Sequence, residues 1–126
     1  MMTSLLPLDV ASESLHKLGL KDVTKYSIAT KKLYIKHVFI KNLDSNLVKP
    51  KLTYTDLEFF RTTNAVDGYC YVLVYVFNKR RKKFDMAFFL EDAEAIKGID
   101  TLEAKKRMTD LYSISRNIRG ALLGQF

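Results

Sequence analysis

Five consecutive cations, Lys79, Arg80, Arg81, Lys82 and Lys83, form the densest concentration of reactive charge in this 126-residue chain. Lysine and arginine side by side neutralise phosphates without reading sequence, giving an affinity that falls with salt. The run lies between two apolar stretches, Tyr69–Phe77 and Phe84–Leu90. Two such stretches joined by a short polar segment predict a β-hairpin with the cations at its tip. Asn78 suits the entry to the turn, because its side chain bonds nearby backbone. In the first stretch Tyr69, Tyr71, Leu73, Tyr75 and Phe77 alternate with Cys70, Val72, Val74 and Val76. If helices cover the valine face, Tyr71 and Tyr75 are left on a partly open face beside the cations. Bases stack on rings so placed while cations follow the backbone. The alternative is that these rings complete a core or an interface.

Two further basic groups could extend such a surface. Lys31, Lys32 and Lys36 fall in the lysine-rich first third of the chain, and Lys105, Arg116 and Arg119 fall on one side of an expected C-terminal helix. Catalytic chemistry has little to stand on. His16 and His37 are the only histidines, and neither has a Cys, Asp or Glu at ligand-like spacing. Cys70 lies within an apolar strand, where a thiol stays protonated and inert. No phosphate loop, His-Glu-x-x-His or Gly-x-Ser-x-Gly motif occurs. Asp85, Glu91, Asp92 and Glu94 are the best carboxylate group, but the last three fit helix-terminus electrostatics. No catalytic residue, metal site or cofactor is expected.

The elements that must position these residues follow from periodicity and punctuation. After Pro7, Asp9 can cap a short helix with Ala11, Leu15 and Leu18 on one face and Gly19 at its end. Lys31–Asn42 alternates as a strand. Asp44-Ser45-Asn46 and Asp67-Gly68 mark turns, and Leu52–Phe60 reads as a strand entering an irregular segment. Glu91–Lys97 with Gly98 makes a two-turn helix. Ala104, Met108, Leu111, Ser115, Ile118 and Leu122 step by three and four, predicting one long helix capped at Asp100. Short connections favour sequential antiparallel pairing. The expected fold is therefore α+β: a single two-layer domain over residues 1–126, with an antiparallel sheet of about four strands packed by an N-terminal helix and a long C-terminal helix.

Composition sets the outer bounds. Lys and Arg number 21 against 14 Asp and Glu, a net charge of +7 that favours anionic partners. One cysteine excludes an internal disulfide and fits a reducing compartment. Neither a secretory signal nor a membrane-length apolar run is seen, so a cytoplasmic protein is expected, or a nuclear one in a eukaryotic host. The function expected is a non-enzymatic basic module binding nucleic acid through the hairpin tip and the aromatic face. The alternative is an assembly, adaptor or inhibitor subunit, viral or phage for example, that meets an acidic protein surface, a second copy or a larger complex. A peripheral protein of anionic membranes ranks third.

Overall fold

The structure is a computed structural model, and it describes residues 10–43, 46–65 and 69–124. The proposed Asp9 cap and much of the Asp44-Ser45-Asn46 and Asp67-Gly68 turns lie outside the described residues. The elements run β1 (Ala11–Ser14), a 3-10 turn (His16–Leu18), β2 (Val23–Ile28), β3 (Lys31–Ile40), β4 (Leu47–Val48), α1 (Tyr54–Ala65), β5 (Tyr69–Asn78), β6 (Lys83–Glu91), α2 (Asp92–Lys97), β7 (Ile99–Asp100), α3 (Thr101–Arg107), β8 (Thr109–Asp110) and α4 (Leu111–Leu122). The architecture is α+β, but the main sheet has six strands in the order β1-β2-β3-β5-β6-β8. A two-strand ribbon of β4 and β7 accompanies it.

The hairpin expected around the cations is present, with β5 and β6 antiparallel from Tyr71↔Glu91 to Asn78↔Lys83 and a bulge after Val76. The expectation of a wholly antiparallel sheet fails at one seam. β3 and β5 pair in parallel from Leu33↔Tyr69 to Ile40↔Val76. A parallel pair needs a long crossover, and the segment between these strands, carrying β4 and α1, supplies it. That segment also corrects the strand expected over Leu52–Phe60, which is helical from Tyr54. Thr53 Oγ1 accepts from the Asp56 N–H at 3.1 Å, while Asp56 accepts from the Thr53 N–H at 3.0 Å. This reciprocal cap starts α1 one turn before its apolar residues begin to show.

At the N-terminus the expected helix is instead edge strand β1, paired with β2, followed by a single 3-10 turn. Gly19 does end that turn in the left-handed region, at φ 79°. The larger correction concerns the C-terminal helix, which is two helices. Met108 is extended, and Thr109 and Asp110 pair with Ala87 and Met86 on β6. Asp110 then caps α4, its Oδ1 accepting from the Ser113 N–H at 2.8 Å.

The break carries the chain from one face of the sheet to the other. Ala104 of α3 packs with Phe60, Ala95, Val72, Val74, Val76 and Phe88. Ile114, Ile118 and Leu122 of α4 pack instead with Tyr26, Ile35, Leu73 and Tyr75. The sheet is therefore covered by helices on both faces, which makes three layers rather than two. None of the helices among the described residues is long and apolar enough to cross a membrane.

One buried ion pair ties α1 to the sheet. The Lys36 ammonium of β3 sits 3.4 Å from Asp56 and donates to the Lys21 carbonyl at 2.8 Å. Both residues are buried. Removing one partner of such a pair strands the other charge in the interior. Asp56→Ala is expected to lower the unfolding free energy by about 3–5 kcal/mol in equilibrium denaturation. Adding Lys36→Met should recover most of that loss, leaving a deficit of about 1 kcal/mol for the missing cap. A fully stable Asp56→Ala protein would contradict this account.

Candidate functional site

The tip turn is built locally by Asn78. Its Oδ1 accepts from the Arg80 and Arg81 N–H groups at 3.0 and 3.3 Å, and its carbonyl accepts from the Lys82 N–H at 2.7 Å. The left-handed residue of the turn is Lys82, at φ 54°. Closing the turn splits the five cations. Arg81 folds back onto β6, where Nη1 reaches Asp85 at 3.2 Å. Lys82 and Lys83 are exposed along the far side.

Lys79 and Arg80 turn the other way and line an open groove of about 390 Å³. Lys41, just past the end of β3, and Lys105, in the last turn of α3, line the same groove. Its apolar floor includes Val76, Phe77 and Met108, and no carboxylate of the described residues lines it. None of the four cations forms an ion pair with a described residue. The structure thus brings together Lys79, Arg80 and Lys105, which are far apart in sequence. It adds Lys41, which stands in no charge run; only the parallel register setting Ile40 beside Val76 reveals it.

The remaining cations lie elsewhere. Lys36 is buried against Asp56 and is no surface contact. Lys31 and Lys32 are exposed at the start of β3, the end of the sheet opposite the tip, and the Lys31 ammonium lies beside Gly124. Arg116 and Arg119 are on α4, across the sheet from Lys105, so the single basic row expected of one helix does not exist. Arg116 rests over the Tyr112 ring at 5.9 Å.

The tyrosine face is closed over its central part. Tyr75 is buried, and Tyr71 packs edge-on to Phe89 beside α4. Near the tip the accessible rings are phenylalanines beyond the N-terminal end of α4, whereas the exposed Tyr69 lies at the other end of β5. Phe39 stacks on Tyr75 at 4.5 Å with an interplanar angle of 11°. Phe84 meets Phe39 and Phe77 edge-on, both at 5.2 Å. Phe39 is 55% exposed and Phe77 and Phe84 are half-buried. These contacts link the groove floor at Phe77 to a second, larger cavity of about 640 Å³.

Both histidines line that second cavity. His16 is exposed on the 3-10 turn, whereas His37 is held in the sheet. His37 Nδ1 lies 2.8 Å from the Tyr75 hydroxyl and Nε2 lies 3.1 Å from the Thr24 hydroxyl. Burial pushes the imidazole pKa down to about 4, against a weaker upward pull from Asp22. Burial likewise pushes the Cys70 thiol up to about 12, which fits an inert strand cysteine. The acids after β6 are engaged structurally: Glu94 takes a two-pronged contact from Arg107 at 2.7 and 2.9 Å, and that guanidinium holds its carboxyl below the usual range. No group of three or more His, Cys, Asp or Glu among the described residues is placed to hold a metal ion.

No family model matches this sequence, and no curated protein matches it.

His37 gives the site a pH signature. Its native pKa, about 4, lies below the ordinary 6.5, so the unfolded chain takes up the proton first. The stability held by neutral His37 is full above about pH 6.5 and is lost as pH falls toward 4. An NMR titration of the imidazole should show a midpoint near 4. A His37 midpoint near 6.5 would contradict the buried, doubly bonded placement.

Proposed function

We propose that this protein is a non-enzymatic module that binds single-stranded nucleic acid at the hairpin end of its sheet, chiefly through the phosphate backbone. The observation that carries this reading is the groove lined by Lys41, Lys79, Arg80 and Lys105, with no acid among the described residues of its lining and a ring, Phe77, in its floor. Four cations converging from β3, the tip turn and α3 suit a string of negative charges. The half-buried phenylalanines beside them favour a strand whose bases are unpaired, because stacking needs an exposed base face. Phosphate contacts of this kind position a strand without reading its bases, so sequence preference is weak. Both faces of β5 are closed by the chain's own helices. The apolar strand therefore needs no partner subunit, which favours nucleic acid over the assembly or adaptor reading.

Filter binding across a salt series tests this. Single-stranded oligonucleotides should bind more tightly than duplex, with log K falling linearly against log salt. Each single-strand phosphate contact contributes about 0.7 to that slope, so Lys79→Ser/Arg80→Ser should reduce it by about 1.4. Lys31→Ser/Lys32→Ser, at the opposite end of the sheet, should leave the slope unchanged. Equal effects of the two pairs would sink the groove as the contact.

A further inference from the structure

The paired strands β2 and β3 are unequal, and the mismatch leaves a notch. β2 begins at Val23, opposite Lys36, whereas β3 continues to Ile40. The last contact between them is the Asp22 carbonyl accepting from the His37 N–H at 2.8 Å. Asp22 has φ 57°, which turns the incoming chain away from the sheet. Past that point no described strand lies beside Phe39 on its β2 side, and the 640 Å³ cavity occupies the space.

The notch is furnished for a flat, polar-edged ring. Phe39 keeps one ring face on Tyr75 and is braced edge-on by Phe84, so its other face is free to continue the stack. Below it lies the chain Thr24–His37–Tyr75. A neutral imidazole offers one donor and one acceptor, so one hydroxyl donates to His37 and the other accepts from it. The hydroxyl that accepts keeps its own hydrogen, and Thr24 also bonds the Tyr26 hydroxyl in the same cavity wall. Asp22 and Lys21 line the exposed rim with an acceptor and a cation.

We propose that this notch is a pocket for one nitrogen heterocycle of nucleobase type, stacked on Phe39 with its polar edge toward the Thr24–His37–Tyr75 chain and Asp22. For the source of the base the proposal rests on the reading above: a strand whose phosphates follow Lys79 and Arg80 delivers it across Phe77 and Phe84. The pocket adds a stacking site of stated chemistry to what is otherwise a charge contact.

The chain has no tryptophan, so Phe39→Trp places a single fluorophore at an exposed position of the pocket wall. Nucleoside monophosphates should quench it saturably, ribose 5-phosphate should not, and Lys31→Ser/Lys32→Ser, at the opposite end of the sheet, should leave the quenching in place. In the unmodified protein the same nucleotides should shift the aromatic NMR signals of Phe39, Phe84 and Tyr75, and Phe39→Ala should weaken single-strand oligonucleotide binding roughly 10-fold, as expected for one lost stack. Absence of saturable quenching together with unmoved aromatic signals overturns the pocket, as does quenching matched by ribose 5-phosphate. Salt-dependent oligonucleotide binding that Phe39→Ala does not weaken overturns the pocket but leaves the groove reading standing. Mononucleotide quenching without any oligonucleotide binding does the reverse.

Discussion

A central strand that is apolar on both faces is the constraint from which the rest of this structure follows. Leu73 and Val74 are adjacent on β5, point to opposite sides of the sheet, and both have no solvent exposure. Covering only one side would leave a row of branched and aromatic side chains in water, at about 25 cal/mol per Å² of apolar surface. The chain answers by crossing the sheet edge at Met108–Asp110. Helices α1, α2 and α3 close the valine face, and α4 closes the tyrosine face. Because both faces are closed over their central part, a ligand can reach the sheet only at its ends. The tip end is where cations from three elements meet.

What the sequence made legible was local. Asn78 and the five cations announced a turn, the flanking apolar runs announced its strands, and Glu91 with Gly98 announced α2. The α1 helix was hidden because its apolar residues do not form a stripe: Phe60 is buried while Leu57 is 36% exposed and Tyr54 mostly so. Its real start signal is the local cap of Thr53 with Asp56, which hydrophobic periodicity does not register. The division of the C-terminal helix was hidden for the opposite reason. Ala104 through Leu122 keep one helical period across a break that Asp110 and Ser113 impose by local capping. Periodicity alone carries no information about which side of a sheet each half will meet.

The candidate site was half legible for related reasons. Lys79 and Arg80 could be read from the charge run, but Lys41 and Lys105 join them only through the parallel β3–β5 register and the position of α3. The rings were misassigned because burial, not residue type, decides which aromatics are available. Tyr75 gives its hydroxyl to the His37 network inside the fold, and the exposed ring face passes to its stacked neighbour Phe39. Lys36 shows the same effect for charge: facing the interior, it became half of the ion pair that anchors α1.

The central claim is that binding occurs at the hairpin end and nowhere else on the sheet. Mapping backbone amide shifts of the full chain during titration with a short single-stranded oligonucleotide tests it most directly. The account predicts saturating shifts at Lys41, Phe77, Lys79, Arg80 and Lys105, with Lys31, Lys32, Arg116 and Arg119 unmoved. Shifts centred on α4 or on the start of β3, with the tip silent, would contradict it.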